Sequence, residues 1–398
     1  MNKLISTLQA LSEKKERTII GLMSGTSIDG LDIALCKISA SGTDTSARVE
    51  AFTTAAYDHE TLRLLRSIAF RDAISQTDLA IANDYLGRLY ARFINDAISR
   101  WGLQASSVDA IASHGQTVFH APSRLHGRPG YPNATLQIVD GDHIAWHTGI
   151  LTVSDFRQKH VAAGGEGAPL AACGDWLLYS KPGVNRIMLN IGGIANFTWL
   201  PGHNTGRAPL SFDTGPGNTL IDAAIREYYQ PMSYDEGGKI GESGHIHEEL
   251  LATLKKHPYF RKDPPKTCGP EDFDLDFIKR SAEQSELVKP ADLVATLTAL
   301  TAETIAAAIK AYTSPGRQNE LLVSGGGVHN RFLISLLSDL LPEYRVESTS
   351  EMGIDPDSKE ALIFAVLANE TLAGEGVPFG DQNSGMIKLS LGKICLPW

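Results

Sequence analysis

Residues 18–38 read TIIGLMSGTSIDGLDIALCKI, and residues 186–200 read RIMLNIGGIANFTWL. Each is an apolar run, a glycine turn and an answering apolar run. In the first, residues 18–23 form the outgoing strand and 31–38 the return. Asp29-Gly30 marks the turn between them, because glycine takes positive φ without steric cost. In the second, residues 186–190 go out, Ile191-Gly192-Gly193 turns the chain, and 195–200 come back. One grammar in both halves suggests two related lobes.

Working outward from the first hairpin, residues 49–56 add a third antiparallel strand, followed by helical stretches at 60–70 and 77–101. A buried strand, 108–113, then runs to HGQT, and a strand at 134–139 leads into a short helix near Asp140. Around the second hairpin lie a strand at 209–212, the turn DTGPGN and an amphipathic helix at 219–229. A long Ala/Leu/Thr-rich helix covers 291–312, and a strand at 321–324 enters Gly325, Gly326 and Gly327. A strand at 345–348 and a helix at 359–372 close the pattern. Strands interleave with helices throughout, so the class is α/β. The expected division is 1–150 plus about 370–398 for the N-terminal lobe and 151–369 for the C-terminal lobe. Ligands of such folds sit at the carboxyl ends of strands.

The 398 residues suit two domains. A mix of 42% hydrophobic and 21% charged residues is that of a globular chain. With 36 Lys+Arg against 46 Asp+Glu, the net charge of −10 argues against nucleic acid as a partner. Cys36, Cys173, Cys268 and Cys395 are too dispersed for a disulfide framework or a zinc site. The first 17 residues read as a short amphipathic helix and not as a signal peptide. No run approaches the ~18 apolar residues of a membrane span. A cytoplasmic protein with no membrane partner is the expectation.

The chain has 37 glycines, and the informative ones follow strands: Gly25 and Gly30, Gly192 and Gly193, Gly215 and Gly217, and Gly325 to Gly327. Such turns expose backbone N–H groups and admit a phosphate close to the backbone. Taken singly each is simply a tight turn; four of them with Ser, Thr or Asp attached favour a nucleotide. GxxxxGK[ST], GxGxxG after a strand, GxSxG and HExxH are all absent, which disfavours a P-loop enzyme, a dinucleotide site, a serine hydrolase and a zinc peptidase. Thr26, Ser27, Thr214 and Asn218 could donate to phosphate oxygens. Asp29 and Asp213 would hold Mg²⁺, directly or through water, since that cation prefers hard oxygen ligands. For each Asp the alternative is a turn or cap residue.

At these residues the chain resembles a known family. LMSGTSIDGLDIAL, SHGQTVFH, LQIVDGDHIA, VSDFR with AAGGEGAPL, LNIGGIANFT, FDTGPGNTLID and VSGGGVHN are similar to the motifs of anhydro-N-acetylmuramic acid kinases, from about Gly21 to Ala368. The resemblance implies the sugar kinase, Hsp70 and actin superfamily: two ribonuclease-H-like lobes around an interlobe ATP cleft. It implies that ATP and Mg²⁺ phosphorylate the 6-oxygen of 1,6-anhydro-N-acetylmuramic acid while water opens the anhydro ring. N-acetylmuramic acid 6-phosphate, a product of peptidoglycan recycling, would result. A homodimer is suggested by the family alone.

The resemblance also places residues. Gly25, Thr26, Ser27, Ile28, Asp29, Gly30, Leu31 and Asp32 would form the first phosphate loop. Asp213, Thr214, Gly215, Gly217 and Asn218 would form the second. Gly325, Gly326, Gly327 and Asn330 would lie along the adenosine. His114, Gln116, Thr117, Asp155 and Arg157 would line the sugar side, where an arginine fork suits the lactyl carboxylate. His114 also reads as a satisfied structural histidine.

One departure matters most. The family has an Asp three residues after DFR, regarded as the base for the ring-opening water, and then AAGGQGAP. This chain reads DFRQKHVAAGGEGAPL, with His160 in the place of that Asp and Glu166 in the place of Gln. The catalytic base therefore stands open between His160, Glu166 and neither. Pro270 in KTCGPEDF also replaces an expected arginine, with Glu271 fitting the pattern. Two alternatives follow: a kinase of another anhydro- or amino-sugar, and a nucleotide-binding regulator without efficient turnover.

Overall fold

β1 (Glu16–Ser24) and β2 (Gly30–Ser39) form the first expected hairpin, antiparallel with Met23 opposite Asp32. The structure is a computed structural model that describes residues 3–25, 28–202, 207–269, 272–282, 288–313, 316, 318–349, 355, 357–380 and 387–398. Thr26, Ser27, Pro270 and Glu271 lie outside the described residues. β3 (Ser46–Ala56) pairs antiparallel with β2, and β4 (Ala110–Ala121) lies parallel to β1. β5 (Ala134–Ile138) runs antiparallel to β4, and β6 (Thr152–Ser154) parallel to it.

The second hairpin is β7 (Val184–Ile191) and β8 (Ile194–Leu200), extended antiparallel by β9 (Leu210–Pro216). β10 (Gln318–Ser324) and β11 (Arg345–Ser348) add in parallel on the far side of β7. β12 (Val377–Phe379) pairs with β13 (Ile387–Leu389), and β14 (Lys393–Cys395) joins β6. One sheet thus has the order β14-β6-β4-β1-β2-β3 and the other β11-β10-β7-β8-β9. In both, a three-strand meander is followed by two parallel strands beside its first member. That shared order is the duplicated grammar expected from the two hairpins and agrees with the ribonuclease-H-like lobes that the resemblance implies, and the class is α/β.

Two compact units result, Met1–Tyr179 with Asp355–Trp398, and Ser180–Ile354. Residues 151–179 and 355–369, expected in the C-terminal lobe, belong to the first unit. Packing explains the correction. A Cβ on Gly21 of β1 would lie 1.9 Å from the Ala361 carbonyl oxygen, so the helix Lys359–Ala373 sits directly on that strand. The helix Ala171–Tyr179 packs on it in turn, with Gly174 against Ile363.

Alternate residues of the first sheet enter different cores: Ile19, Ala34 and Cys36 one, Ile20, Ile33 and Leu35 the other. A sheet covered on both faces needs near-continuous apolar strands, which is why β1 and β2 read that way. In the second unit Ile187, Leu189, Phe197 and Leu321 share a core with Ile305 and Ile309. Those last two lie on the helix Pro290–Tyr312, the one described helix long and apolar enough to cross a membrane. It is buried along most of its length within its unit. HGQT, expected just past a strand, lies inside β4.

Candidate functional site

The β1–β2 turn is held from beneath by a buried polar chain. Tyr90 and Tyr57 share a 2.8 Å hydroxyl contact, and Tyr57 donates to Ser24 Oγ at 2.9 Å. The Ser24 hydroxyl has two acceptors, Gly30 O at 2.9 Å and Gln116 Oε1 at 2.7 Å. Gln116 Nε2 donates to Gly25 O at 3.1 Å, and the Tyr57 N–H to Asp29 O. Gln116, expected on the sugar side, is therefore fully buried and braces the turn. Ile28 takes φ 55° at the bend. Leu31 points into the core, whereas Asp29 is exposed. Asp32 accepts from Thr54 Oγ1 at 2.6 Å; burial raises its proton affinity, and the charges of Asp29 and Asp357 add to this.

The other first-unit residues gather around β4 and the turn after β6. Arg157 Nε donates to His114 Nε2 at 3.0 Å, and His114 Nδ1 lies 3.0 Å from Gly115 O. An arginine cannot accept, so the His114 lone pair is on Nε2 and its proton on Nδ1. Burial and the Arg157 cation bring the His114 pKa to about 3, so the ring is neutral. His114 is thus a buried brace behind Arg157, its ring 4.7 Å from that of Phe364. Arg157 itself is lowered to about 10 by burial, with Glu360 opposing. No hydrogen bond from its Nη1 or Nη2 is found among the described residues. Thr117 is buried and accepts from Gln137, and Asp155, at φ 56°, pairs with Lys393 at 2.5 Å.

His160 lies on the helix Arg157–Ala162, and Glu166 on the glycine loop that follows it. The Gly167 N–H donates to His160 Nδ1 at 3.2 Å, and the ring stacks on Phe379 at 4.2 Å. Glu166 is paired with Arg124 at 2.9 Å. Burial lowers the proton affinity of His160, with Glu166 opposing.

In the second unit, three turns interlock. Gly217, Asn218 and Thr219 donate their N–H groups to Gly193, Gly192 and Gly193 carbonyls respectively. A Cβ on Gly217 would lie 2.3 Å from Gly192 O, and one on Gly325 (φ 79°) 2.6 Å from Ile191 O. A cavity of about 660 Å³ opens beside them, lined by Asn218, Asp222, Arg226, Glu236, Gly326 and Asn330 among others. Expected Asn218, Gly326 and Asn330 converge there. Asp213, Thr214, Gly215, Gly217, Gly325 and Gly327 shape the turns without lining it. The Thr214 hydroxyl is spent on Ala195 O, so it cannot donate to a phosphate. Asn330 Oδ1 caps its helix through the Leu333 N–H. Asp213 accepts from the Cys268 N–H, and burial raises its carboxyl. Among the described residues no cluster of three His, Cys, Asp or Glu side chains forms a metal cage.

Sequence reasoning missed several groups. Asp222, pushed up to about 6 by burial with Arg226 opposing, reads in sequence as an ordinary exposed helix residue. Glu360 is raised by burial, with Asp32 adding and Arg157 opposing. In sequence it is only an acid in a first helical turn, where the helix dipole favours one anyway. His120, whose buried Nδ1 has no partner among the described residues, has its proton affinity lowered by burial and by Arg157, with Glu166 opposing.

Residues 17–394 match the model of a family described as anhydro-N-acetylmuramic acid kinase. The chain is 44% identical over 400 residues to a Pseudoalteromonas atlantica protein of that name, covering 100% of both. A Caldanaerobacter subterraneus protein of the same name is 36% identical over 394 residues, covering 98% of this chain and 99% of its own.

Proposed function

The chain belongs to the anhydro-N-acetylmuramic acid kinase family, and we propose from that premise how its residues carry out an ATP-dependent sugar phosphorylation. The substrate is 1,6-anhydro-N-acetylmuramic acid. Water adds to the anomeric carbon and the bond from that carbon to the 6-oxygen breaks. The freed 6-oxygen takes the γ-phosphoryl group, ADP leaves, and the water's proton passes to a base on the protein.

One observation carries the substrate side of this reading. Arg157 is a largely buried guanidinium fixed at Nε by a neutral histidine, with its terminal nitrogens unengaged among the described residues. A fork held in this way is built for a planar anion, and the lactyl carboxylate of the sugar is one. On the nucleotide side, the second-unit cavity suits a nucleoside, and Gly326 in its wall lets a ligand approach the backbone closely. Asp29 is exposed, and Asp213 keeps one carboxylate oxygen beyond its bond to Cys268. Single carboxylates of this kind fit Mg²⁺, which keeps waters and phosphate oxygens as its other ligands. When bound, the ion would neutralise charge on the transferring phosphoryl group.

Among the carboxylates of the first unit, Glu360 suits the base. Burial raises its proton affinity above that of an ordinary carboxylate, against Lys359 and Arg157, and it lies within electrostatic reach of Arg157. Glu166 is engaged with Arg124. The test is ADP release that depends on the sugar. Glu360→Gln should lower the turnover by ~10²–10⁴-fold, the usual scale for a lost general base, and Glu166→Gln by less than about tenfold. ADP release indifferent to the sugar would overturn the kinase reading. A fully active Glu360→Gln would overturn the choice of base.

A further inference from the structure

We propose that His160 is a positioning residue, a latch that fixes the glycine loop 163–167, and that the proton of the ring-opening water goes elsewhere. The proposal rests on the ring-opening reading above and concerns the residue by which this chain departs from its family's motif.

Each edge of the imidazole is occupied. The Gly167 N–H can only donate, so Nδ1 contributes the lone pair to that 3.2 Å contact and the neutral ring carries its proton on Nε2. The Nε2 edge lies against the backbone of Gly165, where an added Cβ would stand 1.9 Å from the nitrogen. One face stacks on the Phe379 ring at 29°. A general base must offer a lone pair within about 2.6–3.2 Å of the proton it takes. The single lone pair here is already bonded to the loop, and burial keeps the ring neutral.

The same contacts describe what is held. The Gly165 N–H returns to His160 O at 2.9 Å and the Gly164 N–H to Val161 O at 2.9 Å, folding the loop back over the helix end. From the other side, Asn133 Nδ2 donates to Gly164 O and Gly165 O, both at 3.1 Å. Glu166 is anchored on Arg124. A glycine-rich segment has more conformational freedom to lose than any other. Side chains that fix it therefore set where Glu166 and the neighbouring backbone stand relative to the sugar.

Two substitutions separate a latch from a base. In His160→Asn the side-chain oxygen can accept the Gly167 N–H in place of Nδ1, but no basic nitrogen remains. His160→Ala removes both. Hydrogen exchange of the Gly167 amide in the free protein should be slow in wild type and His160→Asn and faster in His160→Ala. In sugar-dependent turnover, His160→Asn should keep kcat within about threefold of wild type. His160→Ala should raise KM for the sugar about tenfold, the scale of one lost hydrogen bond, with a smaller change in kcat. A ~10²–10⁴-fold loss of kcat in His160→Asn with the Gly167 amide still protected would make the imidazole the base and overturn the proposal. Unchanged amide protection in His160→Ala would overturn it as well. Were wild type to make no phosphorylated sugar, the functional reading would fall, and the exchange data alone would still decide the latch.

Discussion

Replacing Arg157 by alanine isolates the contact on which the substrate reading turns. The guanidinium is mostly buried, its Nε is fixed on His114 at 3.0 Å, and its proton affinity is already lowered by burial. Removing one partner of a buried, hydrogen-bonded charge pair costs about 2–5 kcal/mol. At about 1.4 kcal/mol per tenfold, that is a loss of roughly 30- to several thousand-fold in kcat/KM on 1,6-anhydro-N-acetylmuramic acid. The loss mixes the carboxylate contact with the packing left behind. A second substrate separates them: 1,6-anhydro-N-acetylglucosamine has the same ring system but no lactyl group. On it, Arg157→Ala should lose less than about tenfold, because only packing changes. Arg157→Lys should recover part of the loss on the acid sugar and no more, since an ammonium cannot make the two parallel bonds. Steady-state kinetics on both sugars, with thermal unfolding as the folding control, measures all three losses. Equal losses on the two sugars would refute the carboxylate fork.

Three other outcomes are expected. Tyr57→Phe removes the hydroxyl that donates to Ser24 beneath the first turn; KM for ATP should rise about 3- to 10-fold, and an unchanged KM would deny the turn this support. Gly21→Ala puts a Cβ 1.9 Å from a backbone carbonyl of the helix Lys359–Ala373; stability should fall by about 2–3 kcal/mol in urea titration, and a neutral result would contradict that packing. Burial pushes the Asp222 carboxyl up to about 6 in the folded chain from 3.8 as a free side chain, with Arg226 opposing. Its folded state binds the proton more tightly, so its contribution is full below about 4 and lost as pH rises through about 6. Relative to Asp222→Asn, wild type should therefore lose about 1–2 kcal/mol across that window, partial solvent contact having reduced the full effect. A difference that does not vary with pH would contradict the burial of this carboxyl.

The hairpins were legible because they obey local rules. Asp29-Gly30 and Gly192-Gly193 announce turns, and the apolar runs beside them announce strands covered on both faces. The domain boundary was not. The helix Lys359–Ala373 follows the glycine run of the second unit in sequence, yet it packs on Gly21 of the first, a contact between residues far apart in the chain. The site divides in the same way. The resemblance alone put Arg157 on the sugar side as a fork for an anion, whereas the contacts of its neighbours depend on which way each side chain turns. Gln116 and Thr214 look like ligand donors in sequence, but their polar atoms are spent on Ser24 and Ala195. His160 looks like a base until its lone pair is traced to Gly167. Glu360 and Asp222 could not be singled out, because burial alone raises their proton affinity and burial is a property of the fold.

The most direct measurement is the position of solvent oxygen in the product. The protein, ATP, Mg²⁺ and 1,6-anhydro-N-acetylmuramic acid are combined in ¹⁸O-labelled water, and the phosphorylated sugar is analysed by mass spectrometry and ³¹P NMR before anomeric exchange. A 6-phosphate with ¹⁸O on the anomeric carbon and none on the phosphoryl group is the predicted result. A phosphorylated sugar with the anhydro ring intact, or label on phosphate with no sugar product, would contradict the account.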